Sequence, residues 1–172
     1  GTRNRLWQLQ NALYDSAGEV LSDKLDAAAF HMTLHDLENG PVLTSALQNR
    51  MLAARQFCKP LLDRWQGLPP LRMKTTWLFN MVNTSIVLGL APADGESWQR
   101  LDELYLALEE AVPLGYGMTP HITIAYFRPG ILHSQQLLPL KKALKPVEWD
   151  VTLEMEKLVY QEFTGMNQYW NG

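Results

Sequence analysis

Apolar residues recur along this chain with two kinds of spacing, and the spacing predicts where helices and strands lie. Between residues 45 and 65 they follow one another at steps of three and four, the period of one buried helical face. This stripe consists of Leu47, Met51, Ala54, Cys58, Leu61 and Trp65. Ser45 and Gln48 form a capping-box pair that predicts the helix start, and Pro60 predicts a kink or a split.

Two further helices are expected nearer the C-terminus. The first follows the Pro-Ala-Asp-Gly sequence of residues 92–95 and ends at Pro113. Its apolar stripe is Trp98, Leu101, Tyr105, Leu108 and Val112. The second is short and is expected to begin near Ser134 and to end before Pro146. The lysines shortly before Pro146 suit the negative end of a helix dipole. Residues 6–13 are weakly patterned and predict either a strand or a helix.

The other spacing is the alternation typical of strands. Residues 71–90 are rich in β-forming residues and contain a plausible turn at Asn83-Thr84, which together predict an antiparallel hairpin. Residues 147–155 alternate between apolar and polar and predict a strand with one buried face. Two further strands are expected near residues 29–35 and 120–127. The tail from residue 161 to residue 172 has no period and is not assigned.

This order of elements indicates an α+β fold. Helices and strands are grouped in two similar halves, so we expect residues 1–172 to form one domain of two pseudo-symmetric lobes. The Gly-Leu-Pro-Pro break places the connection between the lobes near residues 67–71.

Composition and charge narrow the class of protein. With 172 residues and 47% hydrophobic content, the chain can bury a core without a metal or a disulfide. Cys58 is the only cysteine, which suits a reducing compartment, so we expect a cytoplasmic location. The net charge of −3 argues against binding of long duplex nucleic acid but permits small phosphorylated ligands. The chain has neither a membrane-spanning apolar run nor the apolar stretch of a signal peptide at its start, so we expect a soluble protein.

Two short segments repeat one another and carry the strongest functional signal. Residues 31–34 read His-Met-Thr-Leu and residues 121–124 read His-Ile-Thr-Ile. In an extended strand the side chains alternate between faces, so each imidazole shares a face with its threonine hydroxyl. Each segment is therefore predicted to present a titratable ring beside a hydroxyl.

Two such segments suit the cleavage of a phosphodiester. Attack occurs opposite the leaving oxygen, so one imidazole can remove a proton from the nucleophile while the other protonates the leaving group. The ordinary pKa of histidine near 6.5 allows both roles at neutral pH. Hydroxyls beside the rings can hold the phosphate oxygens and stabilise the charge that develops on them. This scheme needs no metal and no other cofactor.

With these paired segments and the surrounding order of elements, the chain resembles the 2H phosphoesterase superfamily over about residues 29–155. That superfamily includes bacterial RNA 2′,3′-cyclic phosphodiesterases, the so-called 2′-5′ RNA ligases, and plant and animal cyclic phosphodiesterases. The resemblance implies two antiparallel sheets that line a central cleft, with helices outside. By motif position it implies His31 and His121 as the catalytic pair and Thr33 and Thr123 as phosphate-binding residues. It also implies a small phosphodiester or RNA-end substrate, without fixing which one or which histidine is the acid.

Three other side chains are candidates for substrate contact. His35 shares the strand parity of His31, so it either contacts a ligand or lies at the strand end beside Asp36 or solvent. Tyr116 lies between two glycines in the loop before the second segment, where functional contacts are common. Tyr126 either stacks on a base or packs within its strand.

Two alternative functions remain open from the sequence. In the first, His31, His35 and His121 bind zinc in a metal-dependent hydrolase, although their surroundings are not those of a zinc-binding helix. In the second, the protein binds a phosphate-bearing ligand and turns nothing over. Intact histidines in both segments count against the second alternative, because arginine or lysine would serve pure binding. The oligomeric state does not follow from the sequence.

Overall fold

The computed structural model describes residues 1–130 and 137–171 and is α+β. The helices are α1 (Thr2–Ala17), α2 (Ser45–Trp65), α3 (Gly95–Glu109) and α4 (Leu138–Ala143). The strands are β1 (Leu71–Met81), β2 (Ser85–Pro92), β3 (His121–Tyr126), β4 (Asp150–Leu153), β5 (Gln161–Gly165) and β6 (Gln168–Asn171). One sheet has the order β3-β2-β1-β4, and β5 and β6 form a separate hairpin in the tail that the sequence left unassigned.

The chain divides into two compact units. The first consists of Gly1–Met32, Lys74–Ala91 and Thr119–Val151, and the second of Thr33–Met73, Pro92–Met118 and Thr152–Gly172. The lobe connection expected near residues 67–71 lies inside the second unit, and the nearest boundary falls between Met73 and Lys74. Among the described helices, none is long and apolar enough to cross a membrane.

Helix α1 resolves the ambiguity of residues 6–13 in favour of a helix. Leu6 and Leu13 are almost completely buried, two turns apart on one face. Between them, the buried Gln10 amide donates hydrogen bonds to the carbonyl oxygens of Leu25 and Ile124, each at 3.1 Å. A buried amide that finds two acceptors stabilises the contact between α1 and the sheet. Helix α1 thus covers the face of β3 on which Ile122 and Ile124 are buried.

Helix α2 confirms the predicted stripe but not the predicted cap. Leu47, Ala54, Cys58 and Trp65 are all buried. The N-cap is Thr44, whose hydroxyl accepts from the Leu47 amide at 3.1 Å, and Ser45 is the first helical residue. The helix also runs through Pro60 without splitting. Because Pro60 is exposed, the carbonyl that it leaves without a helical donor lies on the solvent side.

Helix α3 corrects two positions of its predicted stripe, since Val112 lies beyond the end of the helix at Glu109. Leu101, Tyr105 and Leu108 are buried as expected, but Trp98 is 62% exposed. Ser97 takes the buried position instead, since its hydroxyl accepts a hydrogen bond from the Arg72 amide at 2.9 Å. A polar residue with a backbone partner therefore occupies the face that apolarity alone assigned to tryptophan.

The hairpin agrees with its prediction, whereas the strand expected at residues 147–155 is confined to β4, Asp150–Leu153. Strands β1 and β2 are joined by a turn in which Val82 and Asn83 have positive φ angles, 44° and 60°. Val151 is buried on β4, as the alternation predicted for residues 147–155. Helix α4 ends before Pro146 as expected, but Ser134, its expected start, lies outside the described residues.

The first histidine segment is not a strand, which corrects the expectation for residues 29–35. Ala27–Ala29 form a turn of 3-10 helix, and Met32 alone makes a β-bridge, with Ile122. Three consecutive alanines lack the β-branched side chains that favour extended pairing, so the ladder does not extend toward the N-terminus. The second segment is a full strand, β3, as predicted.

Candidate functional site

His31 and Met32 of the first histidine segment are neighbours of β3 within the first unit. Met32 and Ile122 form an antiparallel bridge, so the preceding residue, His31, comes opposite the following residue, Thr123. Side chains alternate along both segments, so His31 and Thr123 lie on the face away from Met32 and Ile122. Ile122 is only 4% exposed, whereas His31 is exposed. The bridge therefore separates a buried apolar face from an accessible polar face.

Strand β3 places its own histidine on that polar face. His121 pairs with Gly89 and Thr123 pairs with Val87 across β2, and directly paired residues project to the same side of a sheet. His121 and Thr123 are both half-exposed, while Ile122 and Ile124 between and after them are buried. His31, His121 and Thr123 are thus brought together on one face.

The two imidazoles are held in the same local arrangement. His31 Nδ1 bonds to the carbonyl oxygen of Ala29 at 2.7 Å, and His121 Nδ1 bonds to that of Thr119 at 2.6 Å. A carbonyl oxygen only accepts, so Nδ1 carries the proton in each ring. In the neutral ring Nε2 is then the acceptor nitrogen, as in sites where a backbone carbonyl fixes the histidine tautomer.

The hydroxyls of the two segments are available to a ligand. Within the described part of the chain, neither the Thr33 nor the Thr123 hydroxyl forms a hydrogen bond to another protein group. Thr33 is exposed, follows Met32 directly and begins the second unit.

Two side chains of β1 reach the polar face, and sequence reasoning did not identify them. A Cβ placed on Gly89 would lie 2.5 Å from Thr76 Oγ1 and 3.1 Å from Phe79 Cε1. Thr76 and Phe79 therefore lie over Gly89, which pairs with His121. The one available signal was a glycine in the middle of a predicted strand, which often marks close approach of another group.

His35 has a structural environment that the sequence did not predict. Its side chain is completely buried, and its Nε2 bonds to Glu109 Oε1 at 2.9 Å in the second unit. Its ring also contacts that of Tyr105, with centroids 5.0 Å apart and an interplanar angle of 45°. The partner is therefore a carboxylate of α3, 74 residues away, and not Asp36 or solvent.

Glu109 and Tyr105 form hydrogen bonds with the backbone of the loop that follows α3. Glu109 accepts a hydrogen bond from the Leu114 amide at 3.0 Å, and this bond, followed by that from His35, holds the pKa of Glu109 below its ordinary value. The Tyr105 hydroxyl donates to the carbonyl oxygen of Tyr116 at 2.5 Å. Burial, followed by the nearby Glu109 charge, raises the pKa of Tyr105. His35 belongs to this buried network.

The two candidate tyrosines lie in different units. Tyr116 is 61% exposed and stands between Gly115, whose φ is +74°, and Gly117. Tyr126 is half-exposed, ends β3 and pairs with Ser85. Tyr116 therefore presents its ring to solvent, whereas Tyr126 forms part of the sheet.

The zinc site considered from the sequence is not formed. In residues 1–130 and 137–171, no three side chains of histidine, cysteine, aspartate or glutamate are grouped so as to hold a metal ion. His35 Nε2 bonds to Glu109, and its Nδ1 is buried.

The chain has a fold similar to that of TT0787 from Thermus thermophilus, known from a crystal structure. The TM-score is 0.56, and the match covers 99% of this chain and 88% of that chain. At 16% sequence identity, the similarity concerns the fold alone. No family model matches the chain, and no curated protein sequence matches it.

Proposed function

We propose that this protein is a metal-independent phosphodiesterase of the 2H phosphoesterase type. Its substrate is a cyclic phosphate or a related phosphodiester, such as a 2′,3′-cyclic RNA end or a small cyclic nucleotide. The observation that carries the proposal is the matched setting of two histidines. His31 and His121 share one polar face, and each donates Nδ1–H to the carbonyl oxygen two residues before it.

This setting suits paired acid and base catalysis. With Nδ1 held by a carbonyl, the neutral ring accepts a proton at Nε2 from water, and the water oxygen forms a bond to phosphorus. The other ring, protonated at Nε2, gives its proton to the ester oxygen as the second P–O bond breaks. One ring gains a proton and the other loses one, and proton exchange with solvent restores the starting states before the next turnover. Each such transfer typically contributes about 10²–10⁴ in rate.

The threonines supply the remaining interactions. The Thr123 hydroxyl donates to a non-bridging phosphate oxygen and so helps to hold the ester in line between the two rings. By motif position, Thr33 has the same role. Negative charge grows on the non-bridging oxygens in the transition state, so a hydroxyl aimed at them stabilises that state more than the bound substrate. Neither hydroxyl forms a competing hydrogen bond within the described residues.

The overall charge favours a small substrate. A net charge of −3 provides no broad basic surface for the many phosphate contacts of a long duplex. A single phosphodiester needs only the local donors of the site. We therefore place an RNA end or a small cyclic nucleotide in this site.

A substrate panel tests the proposal directly. The purified protein is assayed in EDTA against 2′,3′-cyclic mononucleotides, 3′,5′-cyclic nucleotides, cyclic oligonucleotides and 2′-5′ linked RNA. We expect cleavage of at least one phosphodiester, with activity lost in both His31→Ala and His121→Ala. Activity that EDTA abolishes would show a metal enzyme instead. Binding without turnover would show a binding protein, and full activity in either histidine variant would overturn the assignment.

A further inference from the structure

Thr76 and Phe79 create a surface beside His121 on the polar face of the sheet. Strand β2 lies between β1 and β3, and its residue opposite His121 is Gly89. Because Gly89 has no side chain, Thr76 and Phe79 lean over it, as their closeness to its missing Cβ shows. Adjacent strands are about 5 Å apart, so this surface begins about one strand spacing from His121.

The Thr76 hydroxyl is free to bind a ligand. It forms no hydrogen bond to any group among the described residues, and the residue is half-exposed. Its backbone is fixed, because the Thr76 carbonyl accepts from the Val147 amide at 2.7 Å. A hydroxyl on a fixed strand, without a protein partner, is suited to a ligand oxygen.

The direction of the reaction determines what reaches this surface. On the proposed function, the nucleophile, the phosphorus and the leaving oxygen lie in one line between His31 and His121. His31 approaches β3 from the edge opposite β2, since Met32 bridges to Ile122 while Gly89 pairs with His121. With His121 as the acid, the leaving oxygen lies on the His121 side, and the group attached to it extends away from His31, over Gly89 and onto Thr76 and Phe79.

We propose that Thr76 and Phe79 form a specificity subsite for the sugar or nucleoside on the His121 side of the phosphodiester. The Thr76 hydroxyl hydrogen-bonds a ring hydroxyl or ring oxygen, and Phe79 packs against the flat apolar face of the same group. A small alkyl ester would reach neither side chain. The inference rests on the proposed function and names its substrate class as ring-bearing esters.

Kinetics with two substrates test the subsite. The probes are adenosine 2′,3′-cyclic phosphate and ethylene glycol cyclic phosphate, which carries the same ring phosphate without sugar or base. We expect Thr76→Val to raise KM for the nucleotide about 3- to 10-fold, the effect of one neutral hydrogen bond, with kcat nearly unchanged. Thr76→Ser should behave like the unmodified protein, and Phe79→Leu should also raise KM for the nucleotide. Neither Thr76→Val nor Phe79→Leu should alter KM for ethylene glycol cyclic phosphate.

The control is Thr152→Val, the same change at an exposed threonine of β4 in the second unit. It should leave both substrates unaffected. Equal KM values for the nucleotide in Thr76→Val, Phe79→Leu and the unmodified protein would overturn the subsite. An equal rise in KM for both substrates would also overturn the subsite, because that pattern indicates a general structural effect.

A binding measurement separates this inference from the proposed function. The Kd of adenosine 3′-monophosphate is measured by calorimetry for the same variants. If the unmodified protein cleaves no phosphodiester, the proposed function fails, and weaker nucleotide binding in Thr76→Val and Phe79→Leu still supports the subsite. Unchanged Kd values, or no binding by the unmodified protein, overturn it. Should Thr76→Val lose its cooperative thermal unfolding, Phe79→Leu decides the result.

Discussion

Met32 and Ile122 form the single antiparallel bridge that joins the first histidine segment to β3. The two segments therefore reach the same face by different means. His121 lies in a four-stranded sheet, whereas His31 lies outside any strand, after a turn of 3-10 helix. What they share is the hydrogen bond from Nδ1 to the carbonyl two residues earlier. The ring orientation is thus set locally and does not depend on a complete strand.

Removing either imidazole should abolish most turnover while leaving the fold intact. His31→Ala and His121→Ala should each lower kcat by about 10²–10⁴, the usual contribution of a general acid or base. Both rings are at least partly exposed, so their loss leaves no buried cavity and the melting temperature should change little. Steady-state kinetics and thermal unfolding of the same preparations check this prediction. A large loss of melting temperature would mean that the rings support the fold and not the chemistry.

Removing a threonine hydroxyl should reduce turnover less than removing a ring. Thr33→Val and Thr123→Val keep the side-chain shape but lose a donor to the phosphate, so we expect kcat to fall about 10-fold, below the roughly 10²–10³ measured for strong oxyanion donors. Thr33→Ser and Thr123→Ser should recover most of the activity. The matched control is Thr152→Val, an exposed strand threonine of the second unit. A serine variant as slow as its valine counterpart would contradict a role for the hydroxyl.

Local patterns were sufficient for most of the fold. The stripe of α2 and the alternation near Val151 depend on burial of one face, which sequence spacing reports directly. Trp98 was misplaced because the buried position on α3 belongs to Ser97, whose hydrogen-bond partner, the Arg72 amide, lies 25 residues away. A contact of that kind leaves no period in the sequence.

The candidate site, like the fold, was predictable only where its features are local in the sequence. His31, His121 and their threonines were predicted as site residues from two short repeats. The environment of His35 was not, because its partner Glu109 is 74 residues distant and no motif connects them. Thr76 and Phe79 were missed because their approach to His121 depends on the pairing of Gly89, which only the strand register reveals.

The Glu109 carboxylate should make the stability of the protein depend on pH in a defined direction. Its pKa is held below the ordinary value, chiefly by the Leu114 amide and then by His35. A carboxyl group with a lowered folded-state pKa stabilises the fold above its unfolded pKa, and the contribution is lost as the pH falls through the folded value. Glu109→Gln should therefore lower the melting temperature at pH 7 and have progressively less effect below about pH 4. Melting curves of both proteins from pH 3 to pH 8 test this, and a difference independent of pH would contradict it.

Gly89 should be intolerant of a side chain because of Thr76. A Cβ at residue 89 would lie 2.5 Å from Thr76 Oγ1, so Gly89→Ala forces that side chain or the strand to move. Overpacking of this kind costs about 1–3 kcal/mol, which exceeds the roughly 0.5–1 kcal/mol that alanine gains over glycine within a strand. Thr76→Ala removes the obstructing oxygen, so the double variant should be more stable than the sum of the two single changes predicts.

Denaturant unfolding of the four proteins in this double-mutant cycle gives the coupling between the two residues. We expect a favourable coupling of about 0.5–3 kcal/mol, the range found for side chains in direct contact. Phe79 Cε1 would still lie 3.1 Å from the new Cβ, so the rescue should be incomplete. Strictly additive effects would mean that Thr76 does not lie over Gly89, and the route from His121 to Thr76 would then lose its structural basis. Because the cycle measures stability alone, its result does not depend on the proposed function.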